Sequence, residues 1–408
     1  MKRRTILLIA LLTMFVLLGV LLYVPRKKNL DTQKEQESIL TGEKNVAKVF
    51  NQGENIISYN NYTFMVDTEK NAIIRYSEKE NLGRQIIYAQ KEVIGNQLFV
   101  MGNKLIFNVA KDTYCSDLEG SNSIKLINGN IVYMNEDIFV YILQDTNAEY
   151  VCITSYSNTS LNRTPDTLFN IAKGNDIRFL REYDNVLFFY SHNINGTTTL
   201  FSVDLNNSKS NVIINLPTKG DDTRYDFVDI VKIEDVVYPL QVEYQISTNF
   251  ETYASNTLYF AYIDKVVWEN YATNIEPRKR VFTDGKKLFV KEYNTETKQY
   301  EWFYRKYDLK DGEYKEEKTG VLDQNSKEYW TNTLYGDLTD LFTLENGELK
   351  MDGLSFTTLE NDYKNYTLKY AGLFSDKIYI LINQNGKNIW FRFDNDGSNP
   401  KKIYEYNK

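Results

Sequence analysis

From about residue 46 onward, apolar and polar positions alternate in short runs bounded by Gly, Asn, Asp and Ser. That period-two pattern predicts half-buried strands joined by tight turns, and helical periodicity is almost absent beyond the N-terminus. Two of the runs are nearly the same hairpin: Tyr114–Leu126 reads YCSDLEGSNSIKL and Phe391–Ile403 reads FRFDNDGSNPKKI. In each, an aspartate able to bond its own downstream backbone (Asp117, Asp394) precedes a second acid (Glu119, Asp396). A glycine free to take positive φ (Gly120, Gly397) and an asparagine (Asn122, Asn399) follow. Strand, tight turn and second strand are therefore expected, with these eight residues shaping the turn rather than binding a ligand.

Weaker copies of the same aromatic strand and polar turn lie at 74–77, 152–157, 200–204, 258–264, 303–308 and 341–345. Taking Ser77, Asp117, Ser155, Asp204, Asp264, Asp308, Glu345 and Asp394 as equivalent gives a recurrence suited to a four-stranded propeller blade of roughly 40 to 50 residues. The wide gap between Asp204 and Asp264 predicts an insertion near Tyr244 to Asn256. With 32 Tyr, 22 Phe and only 6 Pro, composition also favours strands. The expected fold is all-β, a β-propeller of seven or eight four-stranded blades over 46–408. A large β-sandwich or a two-domain β protein is the competing architecture.

The start of the chain has a different pattern. Lys2, Arg3 and Arg4 precede an uncharged run from Thr5 to Val24. As a helix, that run spans about 30 Å, one hydrocarbon core. A cleaved signal peptide fits less well, because the apolar run is long and no small-x-small site follows it. The expectation is one N-terminal transmembrane helix acting as a signal anchor: a cytoplasmic tail at 1–4, the anchor at 5–24 and a polar stalk at 25–45. The remaining chain would lie outside the cell membrane. Arg26, Lys27 and Lys28 balance Lys2, Arg3 and Arg4, so loop charge alone does not fix the orientation; the export of long downstream domains favours an inside N-terminus.

Charge and residue inventory limit the chemistry. The formal net charge is −7, and six of the 48 basic residues fall in the first 28 positions, leaving 42 against 55 acids, or −13, for the rest. An acidic domain argues against nucleic acid as a partner. Only one histidine, His192, is present, so an HExxH metal site is impossible, and the chain has no GxSxG, P-loop or GxGxxG motif. The acidic stretches at Asp221, Asp222 and Asp226 and at Asp394 to Gly397 lack the full calcium-loop spacing and are expected to be solvated turns. Cys115 and Cys152 occupy strand-like contexts and are expected as buried thiols, a disulfide being the alternative. No catalytic, metal-binding or cofactor-binding residues are expected, and no cofactor.

The DxEGSN and DxDGSN hairpins at Asp117 and Asp394 resemble those of membrane-anchored or secreted Gram-positive propeller domains of unknown function (DUF5050-like), a group similar to the YWTD propellers of lipoprotein receptors. Tyr329 to Asn332 reads YWTN, a single occurrence outside the repeat register. The resemblance implies a propeller over 46–408 at the cell envelope and no particular reaction. The expected role is non-catalytic binding of an envelope protein or a glycan, with the membrane held through the N-terminal helix. The alternative is a glycoside hydrolase-like enzyme using carboxylates at the mouth of the propeller channel.

Overall fold

The computed structural model describes residues 55–407, except 136, 147, 156–165, 173–175, 193–196, 217–222, 234–235, 247–252, 263–266, 274–281, 284–286, 307–335, 352, 360 and 375. The anchor and stalk at 5–45, Asp221, Asp222 and the YWTN stretch lie outside these residues. Among the described residues no helix is long and apolar enough to cross a membrane.

Eight antiparallel sheets follow one another along the described chain, each a meander of consecutive strands except for one short edge strand added to the last. Sheet 1 comprises Ile56–Tyr59, Tyr62–Asp67, Ala72–Ser77 and Leu82–Tyr88. Sheet 2 comprises Ile94–Met101, Lys104–Val109, Asp112–Asp117 and Ile124–Asn128. Sheet 3 comprises Asn130–Met134, Ile138–Gln144, Ala148–Ser155 and Asp166–Ala172. Sheet 4 comprises Asp176–Tyr183, Val186–His192, Thr198–Asp204 and Lys209–Leu216. Sheet 5 comprises Thr223–Ile233, Val236–Ile246, Tyr253–Tyr262 and Val267–Thr273. Sheet 6 shows Phe282–Thr283, Lys287–Asn294 and Gln299–Lys306, and sheet 7 shows Phe342–Glu345, Glu348–Met351 and Leu354–Thr358. Sheet 8 comprises Thr367–Phe374, Lys377–Gln384, Lys387–Asp394 and Lys401–Asn407, and the short strand Gly336–Asp337 pairs with the free edge of its first strand.

Where side chains are described, both faces of a sheet are apolar because the alternating side chains serve two neighbours. In sheet 8, Ile378, Ile380 and Ile382 pack toward sheet 7, while Tyr379 and Leu381 pack toward sheet 1. Apolar clusters join sheets 1 and 2, 2 and 3, 3 and 4, and 4 and 5 in the same way. The cluster of Ile56, Met65, Ile74, Tyr76, Phe374, Leu381 and Trp390 sets the last sheet against the first. Consecutive meanders stacked face to face, with the last on the first, form a β-propeller.

Among the described residues, one device recurs in seven of the eight sheets, all but the sixth. The last strand carries a single β-bulge, which leaves one residue unopposed by the neighbouring strand and increases the local twist. The bulged residues are Ile86, Leu126, Leu168, Ile213, Tyr271, Phe356 and Ile403, all apolar or aromatic. Phe356 belongs to the third strand of sheet 7, so that strand plays the part that fourth strands play elsewhere. Glu345, expected to be equivalent to Asp117 and Asp394, instead closes the first strand of sheet 7 and opens an Asn346-Gly347 turn one hairpin early. The turn equivalent to Asp117 and Asp394 is the one after Met351. The other marks fall where third strands end at Ser77, Asp117, Ser155, Asp204 and Asp394, with Asp264 and Asp308 outside the described residues. The wide gap in the repeat is filled largely by long strands: Val236–Ile246 and Tyr253–Tyr262 remain paired as far as Ile246 opposite Tyr253, with one register shift after Tyr244.

Candidate functional site: the acidic turns and the seams between sheets

The turns at Asp117 and Asp394 have the same backbone. Gly120 and Gly397 sit at φ +79 and +82, and Asn122 and Asn399 at φ 53 and 52. Each glycine N–H donates back to the carbonyl of the leading aspartate, at 3.0 and 2.9 Å. Asp117 Oδ1 accepts from the N–H of Glu119 (3.1 Å) and of Ser121 (2.8 Å), with the Asn122 amide 3.5 Å from Oδ2. Asp394 accepts from Lys377 Nζ and from Asn399 Nδ2, both at 2.6 Å, and Asp396 accepts from the Ser398 N–H at 2.8 Å. The Lys377 ammonium, and after it the Asn399 amide, hold the Asp394 carboxyl below the usual carboxylate range. A cation at either turn would have to displace donors already in place. Among the described residues, no group of three or more His, Cys, Asp and Glu side chains is arranged to hold a metal ion.

The turns act across the seams. A Cβ on Gly120 would run into the carbonyl oxygen of the bulged Ile86 in sheet 1, and one on Gly397 would lie 2.8 Å from the carbonyl of the bulged Phe356 in sheet 7. Gly83, at the start of the last strand of sheet 1, abuts the carbonyl of the bulged Ile403 in sheet 8. Ser210 in sheet 4 donates its hydroxyl to the bulged Leu168 carbonyl of sheet 3 at 3.0 Å. The third-to-fourth hairpin of one sheet thus repeatedly docks on the bulge of the preceding sheet. Glu119 adds an ion pair with Arg75, which is 3 % exposed and lies over the Tyr62 ring. Arg392 of sheet 8 pairs with Glu78 of sheet 1 and lies beside the Tyr76 ring.

At the opposite ends of the strands, the second-to-third hairpins grip a neighbouring sheet. Asn71 accepts from the Ile94 N–H at 2.8 Å and donates to the carbonyls of Ala89 and Glu92. The buried Asn108 accepts from the Ile131 N–H at 3.1 Å and from Thr113 Oγ1 at 2.7 Å, and donates to the Ile131 carbonyl at 2.9 Å. Asp67, fully buried, binds the indole N–H of Trp390 at 2.7 Å and the Tyr406 hydroxyl at 2.9 Å, both from sheet 8. None of Asn71, Asn108 and Asp67 stands out in the sequence. The available signal was a polar residue breaking an apolar strand next to a turn, as in FMVDTEKN and IFNVAKD.

The remaining candidates are placed as follows. His192 ends the second strand of sheet 4, with Nδ1 3.0 Å from Thr198 Oγ1. Asp226 lies on the first strand of sheet 5. Cys115 and Cys152 are thiols buried in the core shared by sheets 2 and 3. Burial pushes the Cys152 thiol up to about 11, with hydrogen bonds from Thr167 and Tyr141 pulling the other way. Because the folded pKa is raised, the neutral thiol's contribution to stability is full below about pH 9 and is lost as pH rises through about 11. Thiol reagent at pH 8 is expected to label neither cysteine until denaturant is added; rapid labelling of the native protein would contradict the buried placement.

No protein-family model and no curated protein matches the chain, so the resemblance to one domain of unknown function has no family match behind it. Solved structures that it resembles include a puromycin-hydrolysing peptidase from Mycobacterium tuberculosis, at 8% identity and TM-score 0.40, over 67% of this chain and 45% of that one. An oligogalacturonate lyase in complex with manganese is similar at 9% identity and TM-score 0.40, over 79% of this chain and 82% of that one. The β-propeller domain of the Trilobed protease from Pyrococcus furiosus is similar at 10% identity and TM-score 0.35, over 78% and 84%. The chain thus spans a little under half of the mycobacterial peptidase. At these scores the similarities carry no argument about activity, and the propeller assignment rests on the sheet order and the seams.

Proposed function

We propose that this chain is an eight-bladed propeller, tethered to a membrane by a helix at 5–24 and a stalk at 25–45, that binds an envelope protein or a glycan without catalysing a reaction. Sheet 7 counts as a blade because it meets sheet 8 through the same glycine-on-bulge contact that joins sheets 1 and 2 and sheets 8 and 1. The tether reading rests on the uncharged run from Thr5 to Val24 and the polar segment after it.

The observation that carries the binding-module reading is how the described acids at the seams are engaged. Asp67, Glu78, Asp117, Glu119 and Asp394 all hold donors that fix blade geometry. Carboxylates so committed are poor general acids and bases, which need freedom to exchange protons with substrate. Crosslinking the full-length protein in its native membrane, with identification of what is recovered in near-stoichiometric amount, tests the proposal. A specific envelope protein or glycan supports it. Hydrolysis of a wall glycan by the purified protein, lost on replacing carboxylates at the mouth of the propeller channel, would instead establish the glycosidase alternative.

A further inference from the structure

Among the described residues, each sheet is one continuous stretch of chain apart from the short edge strand Gly336–Asp337 of sheet 8, so the chain itself ties each sheet to the next except between sheets 8 and 1, and no strand crosses that seam. The seam is held by side chains. We infer that it is a latched joint, that the carboxylate of Asp67 is its latch, and that releasing the latch parts sheets 1 and 8 while the chain-linked seams stay closed. The inference rests on the ring reading proposed above.

The geometry supports this in three ways. First, the two oxygens of Asp67 join both sides of the seam: Trp390 Nε1 and the Tyr406 hydroxyl reach from sheet 8, and the Lys70 N–H donates from sheet 1 at 3.0 Å. Burial and the neighbouring Asp67 charge raise the pKa of the Tyr406 phenol, keeping it a donor. Second, the same corner is reinforced by Lys70, whose ammonium donates to Tyr404 Oη at 2.9 Å and lies 4.5 Å from the centre of the Tyr406 ring. Third, the other polar contacts across the seam are weaker or more exposed. Thr63 and Tyr379 hydroxyls are 3.5 Å apart, Tyr370 reaches Asn55 at 3.0 Å, and the Glu78 of the Arg392 pair is 38% exposed. The seam between sheets 1 and 2 differs: Asn71 binds the backbone of the connecting chain itself, so a loss there leaves the two sheets tied.

The experiment is peptide-resolved hydrogen exchange on the full-length protein and two variants, Asp67→Ala and the milder Tyr406→Phe. Removing a buried acceptor from two donors is worth roughly a tenfold to hundredfold change in a local opening equilibrium. Asp67→Ala is therefore expected to speed exchange by about that factor in Tyr62–Ser77 and Lys387–Asn407, with Tyr406→Phe producing a smaller rise in the same segments. Exchange in Ile138–Ser155 of sheet 3 is expected to remain unchanged. A rise spread evenly over all sheets, or none in either variant, would overturn the latch. If Asp67→Ala fails to fold, the pattern in Tyr406→Phe decides. A rise confined to sheet 1, with sheet 8 unaffected, would contradict the ring itself and not only its latch.

Discussion

Replacing Gly120 with alanine lowers the stability of the protein by about 2 to 5 kcal/mol, whereas the same change at Gly353 costs about 1 to 2 kcal/mol. The two glycines share a backbone, at φ +79 and +82, so an L-side chain pays the same left-handed penalty at both. They differ in surroundings. A methyl group at Gly120 is driven into the carbonyl of Ile86, a backbone atom that cannot rotate away, while at Gly353 no described residue lies within 4 Å. The difference in denaturant midpoint between the two variants thus isolates the docking of a turn on the neighbouring bulge. Equal losses would mean that the turn at Asp117 does not touch sheet 1.

Asn108→Ala is expected to cost about 2 to 4 kcal/mol, more than a surface asparagine can. Its amide serves both polar groups of Ile131, the entry to sheet 3, and accepts from Thr113, all in a site 4% exposed. Alanine leaves the Ile131 carbonyl without this donor and removes an acceptor that water cannot replace from outside. Asn108→Asp tests the same point differently, because it keeps an acceptor for the Ile131 N–H but cannot donate to its carbonyl. Thermal and urea unfolding of both variants provide the readout, and a loss below about 0.5 kcal/mol for Asn108→Ala would show that the two sheets do not depend on this amide.

Much of this architecture was legible because it is local. A turn such as DLEGSN carries its own conformational logic in Asp117, Gly120 and Asn122, and the alternation on each side announces the strands. The register went astray at Glu345 for a local reason too: LFTLENG has an aromatic strand and an Asn-Gly turn, and nothing within it distinguishes a second-to-third hairpin from a third-to-fourth one. What stayed hidden is what depends on distant partners. Ile86 and Ile403 look like ordinary strand residues, and only the ladder reveals them as bulges. Asp67 reads as a turn acid, yet its partners Trp390 and Tyr406 come from the far end of the chain, and no periodicity links such positions. The charge on Glu119 likewise gives no hint that its partner is Arg75, a buried arginine inside an otherwise apolar strand.

The central claim is that the last sheet closes on the first. Crosslinking the monomeric protein with a short lysine-reactive reagent, and mapping the linked peptides, tests it most directly. Lys70 lies against Tyr404 and Tyr406, and Lys401 lies against Tyr76. Links are therefore predicted from Lys70 to Lys402 and from Lys79 to Lys401, within one molecule, as mixing of isotopically light and heavy protein would show. Links confined to sheets adjacent in sequence, with none joining Lys70 or Lys79 to the last strand, would contradict the closed ring.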